Sequence, residues 1–246
     1  MSSLKHSLDS VASASGGVSK VSHSVSILND LQDVLSGLTY LEGDMQEGDI
    51  VFWLGTGCHT SFNLTTKLYP SFHNQLFTLL SSDYSGGSYK SSLVVHYHVL
   101  TTASKGMLIG FLNNMDNNYS SPVNFLYVVR GVDPNSITSF EETRRTTTAK
   151  PTFPAIDISS NDYILAMTAS GSNNNDYLPF IPSAGYDDFV SQASGGLGNA
   201  NYKVASGILL RKPGVSGSYT EPTWNIAGTN STSFTNTSLV IKLSPL

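Results

Sequence analysis

The sequence predicts an all-β protein: an eight-stranded antiparallel jelly-roll sandwich of two Greek keys, preceded by an extended N-terminal arm containing a short amphipathic helix. Three observations lead there. Short β-branched or aromatic runs recur along the chain, with Gly, Pro, Asn and Ser clusters between them. About eight such runs fall between residues 48 and 246, the number a jelly roll needs. Residues 1–47 differ in kind, being rich in Ser and free of Trp, Phe and Pro.

The arm comes first. Val18, Val21, Val25, Leu28, Leu31, Leu35 and Leu38 recur at helical spacing, and Asp30 and Asp33 fall off that stripe. The spacing predicts one helix, with Gly37 as its stop. An arm this polar makes no core of its own, so it is expected to dock, and on neighbouring subunits rather than on its own body. The body then reads as strands over Asp49–Gly55, Gln75–Leu80, Ser92–Thr102, Gly106–Leu112 and Val123–Arg130, and again over Asp162–Thr168, Tyr202–Leu210 and Ser238–Leu243. Between them lie long connections: Asn113–Pro122 is Asn-rich, Asp133–Phe153 holds the densest charge, and Gly171–Gly198 carries Asn and Gly clusters. Connections of this length are usually functional or interface-forming. No internal repeat shows at a fixed period.

Composition narrows the function. The net charge is −5, with 13 Lys and Arg in 246 residues, which excludes a strongly basic nucleic-acid binder. Only 13% of residues are charged, against the usual ~25%. Ser and Thr, about a quarter of the chain, fill part of the gap. Surfaces that sit in protein contacts are depleted in charge, so an assembling protein is the first suggestion. One cysteine excludes an internal disulfide and any multi-cysteine zinc site. No apolar run approaches ~18 residues, so no stable membrane anchoring is expected. The residues after Lys5 contain no apolar segment of the signal-peptide type, so the cytoplasm is the expected place of synthesis and assembly.

Few residue constellations suggest chemistry. His96 and His98 share one face of a strand, where two imidazoles could reach one metal. The pair is superficially similar to the first cupin motif. Cupins place a Glu shortly after the second His, and here Thr101, Thr102 and Ala103 stand there, with no His after His98. Two half-buried histidines in a subunit contact are the plainer reading, with pH sensing at that contact as an alternative. Cys58 and His59 are adjacent on an extended segment and point to opposite faces, so Cys58 reads as a buried thiol. Ser194–Gly198 is glycine-rich without the Lys-Ser/Thr of a phosphate loop. Asn173–Asp176 lacks the spacing of a calcium loop. Asn63, Asn118, Asn230 and Asn236 open N-x-S/T triplets at the frequency chance delivers in a Ser/Thr-rich chain. Arg144 and Arg145, after Glu141 and Glu142, read as a salt-bridged loop or a partner site. No catalytic residue, cofactor site or metal ligand is assigned.

Tyr84-Ser85-Gly86, the run Leu93–Leu100, Thr101-Thr102, and Gly106 opening Met107–Phe111 follow one another between Tyr84 and Asn114, and in this order they resemble the coat proteins of picornavirus-like viruses. The family pattern is an aromatic followed by Ser-Gly, a long alternating strand ending in small polar residues, a turn with Gly, and an apolar strand. The match covers about thirty residues. Asn113-Asn114 stand where the family often has Pro, and Lys5 and Lys20 are the only Lys or Arg of the first 47 residues, so a basic RNA-packaging arm is missing. The resemblance is therefore to the arthropod and vertebrate group, Nora-virus-like insect viruses among them. It implies a structural coat subunit of a non-enveloped icosahedral capsid, located in the virion. Its implied partners are copies of itself and other jelly-roll coat chains cut from the same precursor, with viral RNA enclosed and only weakly bound. The alternatives are a carbohydrate-binding jelly-roll module, using the Asn/Tyr-rich loops Asn113–Tyr119 and Asn173–Tyr177, and a cupin-like metalloprotein at His96 and His98.

Overall fold

A computed structural model describes residues 17–27, 39–40, 45–59, 68–72, 75–76, 78–84, 90–101, 108–113, 123–146, 150–172, 180–181, 188–194, 203–226 and 234–246. Its strands in the first half of the chain are β1 (Ser19–Ile27), β2 (Thr39–Tyr40), β3 (Ile50–His59), β4 (Leu68–Phe72), β5 (Gln75–Leu76), β6 (Thr78–Tyr84), β7 (Lys90–Val99), β8 (Leu108–Asn113) and β9 (Val123–Arg130). Those of the second half are β10 (Phe140–Thr146), β11 (Ala155–Ile158), β12 (Tyr163–Ser172), β13 (Phe180–Ile181), β14 (Phe189–Ser194), β15 (Lys203–Arg211), β16 (Gly217–Thr220), β17 (Asn225–Ile226) and β18 (Phe234–Leu243). The protein is all-β and antiparallel, consistent with a β-sandwich, and among the described residues its one helical element is a 3₁₀ turn at Pro134–Thr138.

Two five-stranded sheets carry the fold, in the orders β1-β9-β3-β7-β6 and β10-β18-β12-β15-β14. Each is drawn from one half of the chain. The single eight-stranded sandwich expected over residues 48–246 is therefore replaced by two sheets of separate origin, each backed by short side strands. In the first half β2, β4 and β5 assemble around β8; in the second β11 pairs with β16 and β13 with β17.

The two sheets pack face to face, with β12 crossing β3 and β7 and β15 crossing β3. Strand alternation sends Ile50, Phe52 and Leu54 of β3, Leu93 and Val95 of β7, and Phe125, Tyr127 and Val129 of β9 into the shared core. Leu165 and Met167, Ile208 and Leu210, and Leu239, Ile241 and Leu243 meet them from the other sheet. A second core lies behind the second sheet, where Ile164, Ala166, Leu209 and Val240 pack on Phe153, Ile156 and Trp224.

Ser19–Ile27 is a strand, not the first part of a helix; the rest of the expected helix, to Leu38, lies outside the described residues. The reason is local. Four of these nine residues are Ser and three are Val or Ile, which favour extended backbone over helix. A register shift between Lys20 and Ser22 makes Val21 the extra residue of a β-bulge. That extra residue mixes a period of two into an imitation of helical spacing. β1 is hydrogen-bonded along its length to β9, Val18 is buried, and Lys20 Nζ lies 3.2 Å from Asp188 Oδ1. The described part of the arm thus docks on its own body.

The halves are joined through residues 131–139, which are tied to the C-terminal segment. Leu246 N donates to Gly131 O at 3.0 Å, Asp133 N to Ser244 O at 2.8 Å, and Lys242 N to Ser139 O at 2.9 Å. Gly131 has φ +78°, and a Cβ there would lie 2.8 Å from the Gly17 carbonyl oxygen, so both conformation and space require glycine.

Candidate functional site

His96 and His98 lie on the face of β7 that turns away from the shared core, since Val95 and Tyr97 take the other face. Trp53 is opposite His96 on β3, and Leu126 is opposite Trp53 on β9. The Trp53 and His96 rings are 5.3 Å apart. The indole extends over Gly55, where a Cβ would meet its ring at 2.4 Å; Gly55 is paired with Asn124. Trp53, His96 and Asn124 thus form a polar island inside the first half. Among the described residues, His96 Nδ1 and the Asn124 side-chain amide are buried without a hydrogen-bond partner.

This geometry favours neutral imidazoles. Burial pushes His96 from 6.5 down to about 4, and burial also lowers His98. A folded-state value below the unfolded one means that the unfolded chain takes up protons first. The stability is complete above pH ~6.5 and is lost as pH falls toward 4. Across that window His96 is expected to remove on the order of 3 kcal/mol. Urea midpoints measured from pH 7 to pH 4 check this. His96→Gln is expected to flatten the acid limb; an unchanged slope would place the controlling proton elsewhere.

Among the described residues no group of three or more His, Cys, Asp or Glu side chains is placed to hold a metal ion. Cys58 is buried, outside any disulfide, on the shared-core face of β3, packed near Gly171 and Ser91. Asn236 is buried on β18, where Ser170 Oγ donates to its Oδ1, so its triplet is closed to a glycan in the folded chain. Asn63, Asn118, Asn230 and the stretches Asn173–Asp176 and Gly195–Gly198 lie outside the described residues. Arg144 and Arg145 belong to strand β10, not to a loop, and Glu141 beside them is exposed.

Two clusters escaped the sequence reading. Asp49 is buried and holds Arg130 through two contacts of 2.8 Å, while Gln46 N donates to Asp49 Oδ2 at 2.7 Å. Glu221 is buried beneath the second sheet. Tyr219 Oη donates to its Oε2 at 2.8 Å, Arg211 Nη1 lies 3.4 Å from the same oxygen, and Trp224 Nε1 donates to Oε1 at 3.3 Å. Both pairings are non-local or sit in a short segment with no motif, so neither leaves a sequence signal. Their partners are all structural, and each carboxylate is spent on holding strands together.

Much of the Ser/Thr content is also internal. Thr56 meets Ser206 and Ser91 meets Thr237 at 3.3 Å between the sheets. Thr168 meets Ser238 at 3.0 Å behind the second. These hydroxyls satisfy one another, as burial requires. No protein-family model, curated protein sequence or solved structure matches the chain.

Proposed function

We propose that the chain is a structural, non-catalytic coat subunit that assembles with copies of itself and related chains into a non-enveloped icosahedral capsid. The observation that carries the reading is the strand pairing. A jelly roll is a long hairpin of eight strands rolled up, so strand one pairs with eight, two with seven, three with six and four with five. In the first half these pairs are β1–β9, β2–β8, β3–β7 and β4–β5, with β6 continuing strand five. The second half has the first three as β10–β18, β11–β16 and β12–β15. On this reading each half is a jelly roll, the architecture that viral coats share with lectins and cupins. The low charge and the resemblance over Tyr84–Asn114 favour the coat among these.

The mechanism is mechanical. A stiff doubled sandwich offers its flanks to neighbours, each standard contact burying ~1,600 Å² in total. Several weak contacts per subunit sum to a durable shell. RNA is held by enclosure, since a net charge of −5 gives little counterion release. Expression of the full chain, alone and with any co-encoded coat chains, followed by negative-stain electron microscopy, checks the proposal. Closed particles of uniform diameter are expected; a chain that stays monomeric in both settings while binding a glycan array would replace the coat by the carbohydrate-binding reading.

A further inference from the structure

The two halves of the chain have the same topology. Ranked by sequence within each sheet, the strands stand first-fifth-second-fourth-third in β1-β9-β3-β7-β6 and again in β10-β18-β12-β15-β14. The side strands repeat as well. The strand between first and second pairs with one between fourth and fifth in both halves, as β2–β8 and as β11–β16. The strand between second and third pairs there too, as β4–β8 and β13–β17.

Local structure follows the same equivalence. β3 and β12 are each preceded by an Asp that closes the same turn. Gln46 N donates to Asp49 Oδ2 and Ser159 N to Asp162 Oδ2, both at 2.7 Å. Asp49 N returns to Gln46 O and Asp162 N to Ser159 O, both at 3.1 Å. Counting from those Asp residues, Phe52, Leu54 and Cys58 correspond to Leu165, Met167 and Gly171, and all face the shared core or the seam at its end.

The contacts between halves are reciprocal at their centre, where the second and fourth strands meet, while β18 packs on β7 more closely than its counterpart β9 packs on β15. β3 packs on its counterpart β12; β12 packs on β7, and in return β3 packs on β15. The β10 edge lies beside β6, and at the other edge Lys20 of β1 pairs with Asp188, the residue before β14. Reciprocity of this kind defines a two-fold, isologous interface. On a two-fold axis a residue meets its own counterpart, and Cys58 does meet Gly171: a Cβ on Gly171 would lie 2.7 Å from Cys58 Sγ and 3.2 Å from its Cβ.

We infer that the chain is two copies of one β-unit fused in tandem, and that the face each half turns to the other is the dimer surface of that unit, whose fitting partner is a second copy of it. Cys58 and Gly171 mark the pseudo-axis, where room exists for one side chain and not two. The duplication is independent of whether the chain builds a shell; if it does, the building block is a fused pair.

Two variants of the full chain test this. In C58G/G171C the side chain is exchanged across the pseudo-axis, and Gly171 is free of the left-handed conformation, so it accepts a Cβ. Melting within about 2 °C of the parent is expected, whereas Gly171→Ala with Cys58 retained is expected to fall by about 5 °C through overpacking. An exchange variant melting as low as Gly171→Ala or lower overturns the equivalence. The second variant, Gly171→Cys with Cys58 in place, is expected to form a disulfide between the halves on mild oxidation, so that no thiol titrates after unfolding without reductant. Two thiols that remain after oxidation and titrate only on unfolding would show that the halves do not meet there.

Discussion

A chain lacking residues 1–27 is expected to lose about 3–5 kcal/mol of stability relative to one lacking only residues 1–16, and to aggregate. The shorter deletion leaves β1 whole. The longer one removes a strand paired with β9 from Ser19 to Ile27. It uncovers the flank of β9, whose Phe125, Tyr127 and Val129 are core residues. Burial of the Val18 and Val25 side chains alone is worth about 1.5–3 kcal/mol each at full burial, and Val25 is only partly buried. The lost ladder and the lost Lys20–Asp188 pair add to this. β9 would then become a long, apolar, unprotected edge, the kind that recruits other chains. Urea unfolding of the two chains, with light scattering, checks the expectation. Equal midpoints for both would mean that β1 contributes nothing to the body and serves as a free arm.

Glu221→Ala is expected to cost about 3–5 kcal/mol, the range for breaking a buried ion pair from one side. The carboxylate gathers three donors from different places: the Tyr219 hydroxyl, the Arg211 guanidinium and the Trp224 indole N–H. Trp224 is fully buried, with ring centroids 4.7 Å from Phe153 and 5.0 Å from Phe189. Removing Glu221 takes the acceptor at 3.3 Å from the buried indole N–H and the carboxylate at 3.4 Å from Arg211, which is only 26% exposed. Glu221→Gln keeps an acceptor oxygen and is expected to cost roughly half as much. Thermal unfolding of the two variants separates these outcomes. A loss below about 1 kcal/mol for Glu221→Ala would show that the cluster is open to water.

The interior strands were legible because they are buried on both faces or nearly so. Asp49–Gly55, Val123–Arg130 and Asp162–Thr168 lie in β3, β9 and β12, where continuous apolar runs leave a plain signal. The larger strands that escaped detection are edges. Phe140–Thr146 carries Glu and Arg because an edge strand in water is protected by charge, and charge is what makes a segment read as a loop. β14, another edge, sits in a connection of Ser, Gly and Asn, and its own sequence, FVSQAS, is half polar without a clean alternation. The duplication left almost no trace, since counterpart positions share burial rather than identity. Phe52 answers to Leu165 and Cys58 to Gly171, and the turn Asp before each second strand is the residue kept in kind. The polar island at His96 was half visible: the i, i+2 pair showed the shared face, but Asn124 and Trp53 reach it only through cross-strand register.

Backbone hydrogen exchange on the native full chain most directly tests the face-to-face pairing of the two half-chain sheets. The amides of β3, β9, β12 and β18 are expected to exchange slowest and at one common rate set by global unfolding, with β1 protected along Ser19–Ile27. Fast exchange throughout one half's interior strands, or free-peptide rates in β1, would contradict it.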